Sequence, residues 1–187
     1  MIVDHATINR WVIKFTPLLE HNLRRKKKTV SGAWRMDETY IKVKGEWLYD
    51  YRAVDKFGHV VDYYLSPNRD EAAAKAFLNK ALAQNGLPEK VVIDGSKSNY
   101  AALDALNVPL WLTGYFMLSL VEILDIKYLN NIVEQSHRWV KQKTRQALGW
   151  KGARASIHGR DMWTMLKRGQ IEVAGDTACE RFYALVK

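Results

Sequence analysis

The sequence contains one cysteine, Cys179, and no long uninterrupted apolar run. A single cysteine excludes an intramolecular disulfide framework and a zinc site built from cysteines, and it suits a reducing compartment. The most hydrophobic segment, 108–121, is interrupted by Pro109 and Gly114 and is too short to span a bilayer. The first residues lack the basic and then apolar pattern of a signal peptide. We therefore expect a cytoplasmic protein without a membrane partner.

Positive charge is the strongest compositional feature of the chain. It has 29 lysine and arginine residues against 20 acidic ones, which gives a formal charge of +9 and a pI near 9.6. This balance favours a polyanionic partner such as DNA, although ribosomal and membrane-surface proteins are basic as well. With 187 residues, 48% hydrophobic and 26% charged, the chain is expected to form one globular domain with a small appendage.

The segment Asp4–Thr16 has the pattern of an N-capped amphipathic helix that ends before Pro17. Arg10 and Lys14 point away from its apolar stripe, which consists of Ile8, Trp11, Val12 and Phe15. An apolar face that packs against the protein and a polar outer face suit a DNA-binding recognition helix of the helix-turn-helix type. They also suit any surface helix. The helix that should precede a recognition helix is missing. We therefore expect residues 1–30 to be a remnant of a helix-turn-helix head with a basic linker.

The linker prediction rests on Arg24–Lys28, a run of five like charges. Charges at this density repel one another and favour a hydrated chain, so we do not expect a packed element here. A solvated linker explains the run, and so does a linker that follows DNA phosphates. The second interpretation is favoured because a basic helix precedes the run.

From Trp34 onwards the sequence predicts a sheet. Aromatic and β-branched residues, separated by glycine-containing turns, predict three antiparallel strands at 34–44, 46–55 and 59–65. Asp70 is then the expected cap of a helix over 71–84.

Further elements complete an α/β arrangement. The short apolar run 90–94 is typical of a buried parallel strand, and a helix over 98–106 and a strand over 123–128 follow it. After Arg160 we expect one more helix and a loosely ordered end. The whole predicts a mixed sheet of three antiparallel strands plus two parallel ones, flanked by helices.

The stretch 130–145 contains no glycine or proline and has two faces at helical spacing. One face is apolar. The other carries Glu134, Arg138, Lys141 and Arg145 at steps of four, three and four residues. Such a row is commonly a solvated face with ion pairs. A carboxylate that leads a row of cations can also bind a metal while the cations hold a phosphate backbone.

Two further acids occupy positions that suit a metal site. Asp37 lies in the middle of the first predicted strand, and Asp94 ends a buried one, at the edge where open α/β sheets bind ligands. Together with Glu134 they form a set of hard oxygen ligands suited to Mg²⁺ or Mn²⁺. Two such ions support phosphodiester chemistry. Each acid alone is as well explained by a helix cap or an ion pair.

Several motifs together resemble the DDE transposases of IS6-type bacterial insertion sequences. They are Asp4-His-x-Thr-x-x-Arg-Trp11, Met36-Asp-Glu-Thr-Tyr40, Tyr51-Arg-Ala-Val-Asp55, Asp62-Tyr-Tyr-Leu-Ser66 and Lys127-Tyr-Leu-Asn-Asn-Ile-Val-Glu-Gln135. The resemblance implies a ribonuclease-H-like catalytic domain over 31–170 and a tail over 171–187. It also implies that Asp37, Asp94 and Glu134 are the catalytic, metal-binding triad.

The same resemblance implies a function in DNA transposition and recombination. Such enzymes cut at terminal inverted repeats and join the 3′-hydroxyl to target DNA, and a synaptic complex with two ends implies a homodimer. Arg138, Lys141 and Arg145 would hold DNA phosphates, in a protein associated with the bacterial nucleoid.

Three features depart from the family pattern. The family usually has more residues before the start of this chain, it often has Asp-Lys where this chain has Asp94-Gly-Ser-Lys97, and the segment 110–124 is unusually apolar. The alternatives are therefore a catalytically degenerate DNA-binding relic of such a transposase and a ribonuclease-H-like hydrolase that does not join strands.

Overall fold

The computed structural model describes residues 3–112, 120–131, 133, 137 and 149–186. In chain order its elements are α1 His5–Arg25, β1 Ala33–Val43, β2 Glu46–Asp55, β3 Val60–Ser66, α2 Glu71–Asn85, β4 Lys90–Ile93, α3 Lys97–Leu112, β5 Glu122–Asp125, a 3-10 turn Lys127–Asn130, α4 Trp150–Lys167 and α5 Ala178–Val186. None of the helices in these ranges combines the length and the apolar character needed to cross a membrane.

The elements belong to two compact units. The sheet unit comprises Val30–Ile41 and Trp47–Trp139, and the helical unit comprises Met1–Thr29, Lys42–Glu46 and Val140–Lys187. The helical unit is thus assembled from three pieces of chain that are far apart in sequence.

The strands form one mixed sheet in the order β3-β2-β1-β4-β5. β2 pairs with β3 antiparallel, whereas β4 pairs parallel with both β1 and β5. Lys44 and Gly45 join β1 to β2 in a two-residue turn, and both have positive φ, as the tightest hairpin turns require. The predicted arrangement of three antiparallel and two parallel strands is confirmed.

The core of the sheet unit lies between the sheet and α2. Trp34 and Met36 from β1, Val91 and Ile93 from β4, and Phe77 from α2 are at most 2% exposed. β4 is almost entirely apolar because it is a central strand with parallel neighbours on both sides.

Helix α2 begins and ends where the sequence predicts. The Asp70 carboxylate accepts a hydrogen bond of 2.8 Å from the Ala73 amide, which satisfies one of the free N–H groups of the first turn. Gly86 follows the last residue with a φ of 78°, a conformation that glycine adopts without a steric penalty.

Helix α1 differs from the prediction in both its length and its buried face. It continues through Pro17 to Arg25, because packing against α4 holds the helix together where proline removes one hydrogen bond. The predicted apolar stripe is exposed: Ile8 is 49%, Trp11 44% and Phe15 43% accessible. The residues buried instead are Thr16 and Leu23.

The packed side of α1 carries a polar contact to α4. Glu20 accepts hydrogen bonds from Arg24 (2.9 Å) and pairs with Nδ1 of the buried His158 (2.8 Å). Glu20 therefore lies on the packed face with Thr16 and Leu23, which is not the face of the predicted apolar stripe. Periodicity identified the amphipathic helix but not which face is buried.

The backbone of the basic run 24–28 is ordered where no packed element was expected, and a role in following DNA phosphates stays a prediction. Arg24 and Arg25 form the last turn of α1, and Lys27 pairs with Ile171 in an isolated antiparallel bridge. The Lys28 amide donates to the Gln170 carbonyl (2.8 Å). The charges of the run lie on side chains of different exposure: Arg24 pairs with Glu20, whereas Arg25, Lys26 and Lys28 are exposed.

The end of the chain is also more ordered than expected. The helix predicted after Arg160 begins earlier, at Trp150, and α5 occupies most of the last ten residues. Leu185 of α5 is buried, and the Arg181 guanidinium donates to the Leu166 carbonyl at the end of α4 (2.9 Å). These contacts lie beyond the reach of local sequence patterns.

Pro17→Ala tests the continuity of α1. Alanine restores a backbone N–H that can bond the Ile13 carbonyl, so the free energy of unfolding is expected to rise by about 1–3 kcal/mol. Urea denaturation followed by circular dichroism measures the change. Pro67→Ala, in the loop before α2, is the control and should bring no such gain. A loss of stability in Pro17→Ala would indicate a helix that ends near residue 16.

Candidate active site

Two of the three predicted metal ligands meet at one edge of the sheet. Arg35 of β1 pairs with Val92 of β4, so two further residues along each parallel strand lead to Asp37 and Asp94. With Glu38, they offer carboxylate oxygens that all lie within 4.8 Å of one another. The structure therefore brings Asp37 and Asp94 together, despite the Asp94-Gly-Ser-Lys97 departure from the family pattern.

Asp37 is buried, with its side chain 8% exposed. One carboxylate oxygen accepts a hydrogen bond of 2.8 Å from the Glu38 amide, and the other lies 3.4 Å from Nδ1 of His137. A buried carboxylate is costly unless it has such partners. His137 is itself buried and was not among the predicted site residues.

The segment after β5 is anchored to β1 beside Asp37. Arg35 donates to the Leu129 carbonyl (2.8 Å), and the Asn130 side-chain amide donates to the Met36 carbonyl (3.2 Å). Asn130, Val133 and His137 are all buried, at spacings of three and four residues. This part of the predicted helix 130–145 therefore presents one face to the core.

Glu134, Arg138, Lys141 and Arg145 lie outside the described residues. The geometry of the site is therefore given by β1, β4 and the polar groups around them.

Glu38 is a third acid of the site, and sequence analysis missed it. Its carboxylate accepts hydrogen bonds from Arg69 (2.6 and 2.8 Å), from Ser96 Oγ (3.1 Å) and from the Asn99 side-chain amide. The side chain is only 3% exposed. Its position next to Asp37 was the one feature of the sequence that could have marked it as a site residue. Its hydrogen-bond partners could not be predicted from local sequence.

The acids give this edge of the sheet a negative potential. Burial raises the pKa of Tyr51 to about 12, and the charges of Glu38 and Asp70 add to that shift. The hydrogen bond with Glu38 raises the pKa of Arg69, and the charge of Asp94 contributes as well. A site with this potential favours cations.

The predicted DNA-binding residues of α1 are exposed. Arg10 donates to the Thr7 hydroxyl (2.9 Å), and the Lys14 ammonium lies 5.4 Å from the centre of the Phe15 ring. Both contacts are local, within one turn of the helix. A role in DNA binding remains a prediction for these two residues.

Comparison with known proteins identifies the family of the chain. A family model described as a DDE domain, DDE_Tnp_IS240, matches residues 31–170. Two curated relatives from Staphylococcus aureus are the transposase for insertion sequence-like element IS431mec and the transposase for insertion sequence element IS257 in transposon Tn4003. Each is 33% identical over 180 residues, which is 95% of this chain and 78% of the relative.

Solved structures support the fold. The HTLV-2 integrase catalytic core domain in complex with magnesium has a TM-score of 0.52 at 14% identity and covers 83% of this chain and 99% of that one. The catalytic core domain of BIV integrase has a TM-score of 0.51 at 16% identity, with 82% and 94% covered. The sheet is therefore ribonuclease-H-like, as predicted. With the family match and the relatives, the chain belongs to the DDE transposases of IS6-type insertion sequences, which are polynucleotidyl transferases.

Proposed function

We propose that Asp37 and Asp94 hold the divalent cations with which this transposase cuts and joins DNA, and that Glu134 completes the ligand set. The observation that carries the proposal is the convergence of carboxylate oxygens within 4.8 Å at the end of β4. Carboxylate oxygens this close together could belong to the ligand set of one divalent cation. Hard oxygen donors favour Mg²⁺ or Mn²⁺ over softer metals.

When bound, two such ions would activate a water or a 3′-hydroxyl and stabilise the leaving oxygen of the phosphodiester. The chain itself prepares the site. The Glu38 amide and His137 orient the Asp37 carboxylate, and burial in β1 restricts the water around it. Asp94 follows the neighbouring strand β4, so the proposed ligands come from two strands, β1 and β4, whose pairing fixes their register.

DNA is the proposed partner, as terminal inverted repeats and as target. The charge of +9 supports this, because neutralising phosphates dominates the affinity of proteins for DNA. Arg138, Lys141 and Arg145 would hold phosphates beside the scissile bond, while Arg10 and Lys14 would contact DNA from α1. Joining two ends requires a homodimer in the synaptic complex, which we place in the cytoplasm at the nucleoid.

The degenerate DNA-binding relic is not favoured. Asp37 and Asp94 are buried or half-buried and close together although like charges at this distance repel one another, which supports a site that binds cations. A hydrolase that cuts without joining remains distinguishable by its products.

Asp37→Asn and Asp94→Asn test the two described ligands. Each keeps the size of the side chain and removes the charge, so strand transfer of labelled end fragments in Mg²⁺ should fall by about 10³-fold or more. Asp104→Asn, an exposed acid of α3, is the matched control and should retain activity. Undiminished strand transfer in either site variant would refute the assignment.

Glu134→Gln tests the third ligand. Loss of both cleavage and joining is expected, since the amide is a poor ligand for a hard cation. Glu122→Gln, an exposed acid 3.5 Å from Lys90, is the control. If the unmodified protein yields cleaved ends but no joined product, the hydrolase interpretation replaces the transposase one.

Lys141→Ala tests the cationic row. Removing one phosphate contact should reduce the slope of log affinity against log salt by about one and weaken binding equally for all sequences. Fluorescence anisotropy with end-containing and unrelated duplexes measures both effects. Lys75→Ala, which removes a surface cation paired with Glu71, should leave the slope unchanged. An unchanged slope in Lys141→Ala would indicate a solvated face.

A further inference from the structure

Four side chains from three parts of the sheet unit form a hydrogen-bonded group beside the two aspartates. We call Glu38, Arg69, Ser96 and Asn99 the Glu38 cluster. We infer that Glu38 is a positioning residue that holds the loop after Asp94 against β1, so that Asp94 stays at binding distance from Asp37. The inference rests on the proposed metal site at Asp37 and Asp94.

The bonding of Glu38 shows how it is used. One carboxylate oxygen accepts hydrogen bonds from Arg69 and Ser96, and the other accepts one from the Asn99 side-chain amide. Charge-assisted bonds of this kind offset the cost of burying the carboxylate. Both oxygens of Glu38 are therefore engaged by side-chain donors.

Two of the partners of Glu38 lie shortly after Asp94. Gly95 has a φ of 78°, so the chain turns sharply where β4 ends. Ser96 is the next residue, and Asn99 is in the first turn of α3 with its side chain fully buried. Both bonds end on Glu38, the neighbour of Asp37 on β1. Glycine gives the turn at Gly95 a wide conformational freedom, and the hydrogen bonds from Ser96 and Asn99 to Glu38 restrict it.

Arg69 provides the charge that makes this arrangement possible. Three carboxylates within 4.8 Å repel one another, and the loop would open without a cation. The Arg69 guanidinium binds Glu38 at 2.6 and 2.8 Å, although its side chain is 54% exposed. Neutralising Glu38 leaves the charges of Asp37 and Asp94 to attract the metal.

Mn²⁺ binding to the full chain without DNA tests the inference. Isothermal titration or the free Mn²⁺ signal in electron paramagnetic resonance gives the affinity. Glu38→Gln should weaken binding by about tenfold, as for other residues that orient metal ligands. Asn99→Ala, which leaves every charge in place, should weaken it by about fivefold, the effect of one buried hydrogen bond. Glu71→Gln, on the surface of α2, is the control and should bind like the unmodified chain.

Strand transfer at increasing Mn²⁺ separates positioning from ligation. A positioning residue changes the Mn²⁺ concentration needed for half-maximal rate, so saturating Mn²⁺ should restore the rate of Glu38→Gln and Asn99→Ala. Arg69→Gln and the Glu38→Gln/Arg69→Gln pair should resemble Glu38→Gln alone, because the residues act as one unit.

Three results would count against these assignments in different ways. If Glu38→Gln lowers the unfolding midpoint but leaves Mn²⁺ affinity unchanged, Glu38 has only a structural role. If it abolishes binding as Asp37→Asn does, and saturating Mn²⁺ fails to restore the rate, Glu38 is a ligand. If Asp37→Asn itself binds Mn²⁺ normally, the proposed metal site is wrong, whatever Glu38 does.

Discussion

The parallel pairing of β1 with β4 is the interaction on which the site depends. Carboxylates that repel one another stay together because each follows an apolar strand segment fixed in the core, with Trp34 and Met36 on one side and Val91 and Ile93 on the other. The free energy that holds the acids in place is therefore hydrophobic burial, supplied at a distance from the charges. The Glu38 cluster then restrains the loop that follows Asp94.

Sequence patterns predicted much of the sheet unit. Aromatic and β-branched residues predicted the strands, glycine-containing turns predicted the hairpins, and Asp70 predicted the start of α2. These features depend on neighbours in the chain. The helical unit was predicted less well, because the continuation of α1 through Pro17 and its choice of buried face are decided by α4.

The candidate site shows the same division. Asp37 and Asp94 could be found from their positions in predicted strands, and the structure brings them together. The partners of Glu38 could not, because Arg69, Ser96 and Asn99 follow it by 31, 58 and 61 residues. Tertiary packing decides which side chains come within hydrogen-bonding distance across such separations. Local sequence periodicity carries no information about it.

The backbone bridge between Lys27 and Ile171 has a consequence for biosynthesis. The two residues are 144 positions apart (171 minus 27), so α1 leaves the ribosome long before α4 and the bridge strand exist. Until then Leu23 has no core to enter, and Ile8, Trp11 and Phe15 add further apolar surface to a nascent chain. The helical unit therefore cannot close around α1 until Ile171 has been synthesised.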